Sequence, residues 1–318
     1  MAVVAVSALF SKRLDPFRRA IAGVRTWDVE AVHQSRVGSR RLRELIPLLA
    51  LDPDTQRSVG RQLRQVTRRL GKLREVDVLA VIVDELRRSE GATDAIDRIA
   101  DSIADETRRT RHWLTRRLPA RDLERLSRTL ARMAQELAAR DGKSSLRASR
   151  GPQIWLSALD ARVARRASRL RSAIDRAGTM YSADALHGVR IAVKKLRYSL
   201  EVAHEARGDD DPVTIAFLKD AQNVLGRLHD LETFVGRVRQ LQTAVESELL
   251  TDLATLERRV EVECRELHSR FVHDRTRLVA LADVLARSAS KFPVVGNRAA
   301  GRARRATHRQ LRAPARAI

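Results

Sequence analysis

HQSRVGSRRLR fills residues 33–43, and LHGVRIAVKKLRY fills residues 186–198. Both contain the phrase His-x-x-Arg-apolar-x-x-basic-basic-Leu-Arg, at an offset of 154 residues. At helical spacing, His33, Arg36, Arg40 and Arg43 fall within an arc of about 80°. Arg41 lies on the flank, while Leu42, Leu45, Ile46 and Leu49 take the opposite side, where they can face a core. His187, Arg190, Lys194 and Arg197 repeat the arc, Lys195 stands in for Arg41, and Leu196 and Leu200 lie opposite. Like charges at this spacing cost about 0.2–0.5 kcal/mol per pair, so solvated helix faces interleave acids. Neither stretch has an acid between its His and its final Arg. A cost kept twice in the same pattern is offset when an anion binds, since a well-formed charge-assisted contact to a phosphate oxygen is worth about 1.5–3 kcal/mol.

The repetition extends downstream. LGKLREVDV (70–78) matches LGRLHDLET (225–233) at an offset of 155, and Leu63-Arg64 matches Leu218-Lys219 at the same offset. A duplicated helical unit predicts an all-α fold of two pseudo-symmetric antiparallel bundles, with the paired stripes facing a basic central pore or groove. Apolar periodicity places helices near 8–25, 28–50, 54–89, 93–118 and 121–139, then 153–177, 182–206, 213–245 and 248–288. Asp28 and Asp54 stand at N-cap positions. RDGKSSLRASRGPQ interrupts the rhythm, so the division is a first bundle over 1–140, a linker over 141–152, a second bundle over 153–290 and a basic tail over 291–318.

The next helix adds Arg57, Arg61, Arg64, Arg68 and Lys72 along one side. In the second copy only Lys219 and Arg227 keep the positions of Arg64 and Lys72; Ala216 and Asn223 replace Arg61 and Arg68. The acid pairs Glu75/Asp77 and Asp230/Glu232 follow each LG phrase and suit a role in holding arginines in place. A histidine among so many cations is expected to stay neutral and donate one N–H.

Composition agrees with a charged helical protein. Lys and Arg number 62 against 40 Asp and Glu, a formal net charge of +22, and only seven of the basic residues are lysine. Such a field draws in polyanions, and the planar guanidinium fork matches phosphate oxygens. A GC-rich genome would explain arginine over lysine, but not the surplus over acids. Glycine (14) and proline (8) are sparse, and no alternating β-branched run is bounded by hairpin turns. Cys264 is the single cysteine, which excludes an intramolecular disulfide and points to a reducing cytosol. MAVVAVSALF is too short for a membrane span and lacks the leading basic stretch of a signal peptide, so it reads as the packed start of the first helix. Residues 291–318 hold eight Lys/Arg and no acid, a basic terminus that adds general attraction to anions.

The paired HxxR phrases, each followed by LGxL-x-[DE], resemble the CHAD family (conserved histidine α-helical domain), from Arg13 to Ala289. The resemblance implies two pseudo-symmetric helical bundles around a basic pore that binds inorganic polyphosphate, without catalysis or cofactor. It implicates His33, Arg36, Arg40, Arg41, Arg43, His187, Arg190, Lys194, Lys195 and Arg197, with Arg64 and Lys219 from the second helix; Arg68, Lys72 and Arg227 join them from the stripe. It further implies a cytoplasmic protein associated with polyphosphate granules or with polyphosphate-metabolising enzymes. Many relatives carry an N-terminal CYTH triphosphatase domain, for which this chain has no room, so a stand-alone binder is expected. Glu75 departs mildly from the family's usual Asp. EVECRE (Glu261, Glu263, Arg265) is only superficially similar to the paired glutamates of that triphosphatase.

Two alternatives remain on the residues alone. His204, His229-Asp230 and Asp252 loosely match the ligand set of metal-dependent helical phosphohydrolases, though the counterpart of His229-Asp230 in the first copy is Arg74-Glu75. Nucleic acid is a second candidate partner, but aromatic residues are only 3% of the chain and offer little for base stacking. No basic helix face pairs with exposed Trp or Phe as membrane-surface helices require.

Overall fold

In the computed structural model, residues 4–91, 93–144, 151–244 and 247–288 are described. Among them the regular structure is entirely helical: α1 Val6–Val24, α2 Val29–Leu45, α3 Pro53–Glu90, α4 Asp94–Arg117, α5 Ala120–Ser144, α6 Gly151–Ala177, α7 Ala183–Arg207, α8 Pro212–Gln242 and α9 Ser247–Ser288. The basic tail lies outside the described residues, as does the middle of the expected linker. Helix α5 runs to Ser144 and α6 starts at Gly151, so regular structure enters the 141–152 segment from both sides.

Local chemistry explains the boundaries. Asp28 caps α2 by accepting from the Ala31 N–H at 2.7 Å. At α3 the cap is Asp52, not the expected Asp54. Pro53 fills the first helical position, where its missing N–H costs nothing, and Asp52 accepts from Asp54 N and Thr55 N. Asp54 instead pairs with Arg57 at 2.5 Å. Asp211-Pro212 opens α8 by the same device. The expected helix over 28–50 stops at Leu45 and tightens into a 3₁₀ turn at Ile46–Leu48, because Pro47 cannot supply the next α-helical hydrogen bond.

Helix α1 packs on α2 and α5, α2 on α3, and α3 on α4; further on, α6 packs on α7 and α9, α7 on α8, and α8 on α9. The two sets meet where α3 crosses α8, with α1 and α2 on α7 and α4 on α8 and α9. Leu42, Leu45, Ile46 and Leu49 are all buried, as are Leu196 and Leu200, so the apolar faces of α2 and α7 point into the core. The α1–α2 crossing is close: a Cβ on Gly38 would come within 2.9 Å of Phe17 Cβ. Polar links tie the sets together. Glu44 binds Arg162 at 2.7 Å and also Arg166, whose Nη1 donates to the Lys195 carbonyl at 2.6 Å. Arg237 and Glu106 pair at 2.6 Å, and Arg13 and Glu205 at 2.5 Å.

Candidate functional site

The inward apolar faces of α2 and α7 fix where their basic faces go. Both look into one cavity of about 1220 Å³, completed by α3 and α8. His33, Arg36, Arg40 and Arg41 line it from α2; His187, Arg190, Lys194 and Arg197 line it from α7; Lys219 and Arg227 line it from α8. Arg43, Arg64, Arg68, Lys72 and Lys195 do not. Arg43 sits a turn beyond Arg40, partly buried near Arg64. Arg64, Arg68 and Lys195 are exposed, and Lys72 lies over the Trp113 ring at 4.4 Å.

Arg74, outside the basic stripes expected from the sequence, also lines the cavity. So do His229, Asp230 and Glu75, whose expected roles are metal ligation or support. Together the wall carries nine lysines and arginines against three carboxylates, Glu75, Glu201 and Asp230. Not all of these cations are available. Arg227 is held by Glu263 at 2.8 Å and by Glu85 at 2.7 Å, and Arg197 by Glu201 and by Gln222 at 3.2 Å. Glu261 likewise holds Arg239 at 2.8 Å, so the glutamates of EVECRE serve as arginine anchors.

Arg36 and Arg190 each lie against a helix glycine. Arg36 lies against Gly71 of α3: a Cβ there would be 3.5 Å from its Nε, while one on Gly226 of α8 would be 3.7 Å from Arg190 Nε. A Cβ at either place would make only ordinary van der Waals contact, so each guanidinium lies along the neighbouring helix at normal packing distance. Arg36 Nε is buried without a hydrogen-bond partner. Burial, then Arg40, Arg190 and Arg74, depress the Arg36 guanidinium to about 10. Burial also lowers Arg190, with Asp230 opposing. Among the described residues neither Glu75–Arg36 nor Asp230–Arg190 is a direct ion pair, so these carboxylates act across a gap rather than as the expected salt bridges. Lys194 is brought down to about 7 by burial and then by Arg40, Arg190 and Arg36.

The histidines are held neutral. Burial and then Arg74 lower His33; burial, Arg190 and Lys194 lower His187. His229 falls to about 4, through burial first and then Arg190. His187 Nδ1 and His229 Nδ1 are 3.2 Å apart, so one ring donates to the other. An unfolded histidine titrates near 6.5, so between about pH 6.5 and 4 the unfolded chain takes up a proton at this position that the folded chain refuses. Stability therefore falls as pH drops through that window. In His229→Asn the pH dependence of urea unfolding should be shallower over the same range; equal slopes in the two proteins would contradict the neutral assignment.

The metal-ligand alternative is not assembled. Among the described residues no three His, Cys, Asp or Glu side chains gather as a metal site, and His204 pairs with Asp209 at 2.8 Å instead. No helix among them is long and apolar enough to cross a membrane.

Fold and cavity together define an all-helical protein that concentrates cations from separate parts of one chain around a shared interior space. The model of the CHAD domain matches residues 8–239, and the chain belongs to that family. It is 28% identical over 260 residues to the uncharacterized protein MT2285 of Mycobacterium tuberculosis strain CDC 1551, covering 73% of this chain and 46% of that protein. Uncharacterized protein Rv2226 of strain H37Rv matches at 29% over 261 residues with the same coverage, so the chain spans about half the length of these relatives. In fold it is similar to the CHAD domain of the plant Ricinus communis, with TM-score 0.53, 23% identity, and coverage of 89% of this chain and 92% of that one. PptA from Streptomyces chartreusis gives TM-score 0.55 at 15% identity, covering 90% of this chain and 98% of that one.

Proposed function

We propose that the chain binds inorganic polyphosphate without catalysis, in the cavity between α2, α3, α7 and α8. One observation carries this reading: the two HxxR stripes, far apart in sequence, line the same space. The Arg36 guanidinium in the cavity wall supplies donors for phosphate oxygens, and neutral His33 supplies a short directional N–H, while one N–H of the His187–His229 pair is spent between the two rings. On this reading α1–α5 and α6–α9 are duplicated bundles related by pseudo-symmetry, the cavity is the basic pore between them, and 141–152 joins them. The basic tail over 291–318 then adds long-range attraction. The cellular setting that goes with it is the cytoplasm, at polyphosphate granules or beside a polyphosphate-metabolising enzyme.

A linear chain of phosphates fits a concave cationic space better than duplex nucleic acid, whose phosphates lie on a convex surface. Tyr198 is the single aromatic residue besides the histidines in the wall, which gives bases little to stack on. Titration with phosphate chains of graded length, at two salt concentrations, tests the reading. Affinity should rise with length until the cavity is filled, and fall with added salt as the charges are screened. Long-chain polyphosphate should displace DNA at a much lower phosphate concentration than the reverse. If DNA competes as well as polyphosphate, binding is general charge attraction and the assignment fails.

A further inference from the structure

We propose that Lys194 is a modification site, its amine taking the acyl group of small acyl phosphates such as acetyl phosphate. The inference rests on the reading of the cavity as a phosphate-binding site, and it turns on what distinguishes this lysine from the other six.

Lys194 occupies on α7 the place that Arg40 occupies on α2, so one stripe carries at that place an amine that can lose its proton where the other carries a guanidinium that cannot. It lines the cavity beside Arg36, Arg40 and Arg190, three cations suited to holding the phosphoryl end of an incoming reagent. Its neighbour Lys195 points out to solvent and provides a built-in comparison. The charged groups acting on Lys194 are Arg36 and Arg40 from α2 and Arg190 and Lys195 from its own helix, with the neutral rings of His187 and His229 close by. Glu75, Glu201 and Asp230 line the same cavity, but the four cations dominate and disfavour the ammonium form.

Acyl transfer needs a free amine. A solvent-exposed lysine near 10.4 is only about 0.1% neutral at pH 7.5. With burial and the guanidiniums holding it at about 7, most of Lys194 is neutral at that pH. Desolvation and adjacent cations activate lysine nucleophiles in the same way elsewhere. In the step itself the nitrogen lone pair attacks the carbonyl carbon of acetyl phosphate. The C–N bond forms, the bond from carbonyl carbon to phosphate oxygen breaks, and phosphate leaves with the amine's proton. The product amide carries no charge and adds bulk to the wall, so acylation would weaken the hold on a polyanion.

The experiment incubates the full chain with acetyl phosphate and follows acetylation of each lysine by peptide mass spectrometry. Lys194 should react at least about tenfold faster than Lys195, the two being separated by fragmentation or in a Lys195→Arg variant. Its rate should level off above about pH 8, one unit past its midpoint. An uncharged acetyl ester should show a smaller preference, because it has no phosphate for the guanidiniums to hold. Lys194 reacting no faster than Lys195, or equal preference with the uncharged ester, overturns the inference. Long-chain polyphosphate added first should protect Lys194 and spare Lys195 labelling. Selective acetylation without that protection would leave the modification site standing and remove the polyphosphate reading.

Discussion

Replacing Arg36 and Arg190 together by glutamate should abolish the proposed polyphosphate binding and leave the helices folded. Each guanidinium contact to phosphate is worth about 1.5–3 kcal/mol, so losing two weakens binding roughly 10²–10⁴-fold before any repulsion from the new carboxylates is counted. Stability should change far less. Arg36 and Arg190 repel one another, Arg36 also lies near Arg40 and Arg74, and Arg190 lies near Arg40. A carboxylate at position 36 meets Arg40 and Arg74, whereas one at position 190 meets Arg40 but also faces Asp230. The unliganded double variant should therefore unfold at a urea concentration close to that of the parent. Circular dichroism and a polyphosphate titration on the same sample decide the matter. Binding retained in a folded double variant would remove the cavity from the mechanism.

The α2 and α7 stripes were legible in the sequence because two independent signals coincide there: a cationic arc with no acids, and buried leucines directly opposite. Those leucines orient each helix, and orientation delivers the stripe to the interior. The third helix was read less well. Arg57, Arg61, Arg64, Arg68 and Lys72 make the more regular run, yet none of them lines the cavity, whereas Gly71, Arg74 and Glu75 do. Charge periodicity identifies a face but does not say where along a 38-residue helix a partner lies across it. The signal that does say so is the repeated LG phrase itself, whose glycine lies beside Arg36 in one copy and beside Arg190 in the other. Arg74 was hidden for a second reason. Its counterpart is His229, so matching identical residues between the copies passes over a pair that shares only position and basicity. The caps show a similar limit: Asp52 and Asp54 are equally good acceptors on paper, and Pro53 decides between them by fixing which residue precedes the first turn.

Glu44→Ala is expected to destabilise the fold by about 3–5 kcal/mol, the cost of removing one partner from a buried ion pair. The Glu44 side chain is 14% exposed and bridges Arg162 and Arg166 of α6, fixing α2 against the helix that also carries α7. Arg166 is 9% exposed, and burial already outweighs its attraction to Glu44, so its guanidinium is depressed even with the carboxylate present. Without Glu44 a charge would be left in the interior with only the Lys195 carbonyl and the Ser199 hydroxyl as acceptors. If the loss is a stranded charge, Arg166→Met should recover part of it in the Glu44→Ala background, because a well-packed apolar side chain needs no counterion. If the loss came from packing alone, the second substitution would deepen it. Polyphosphate binding should weaken in Glu44→Ala and recover in step with the unfolding midpoint. On the proposed function, the stripes on α2 and α7 would grip one chain of phosphates only while α6 keeps the two helices in register.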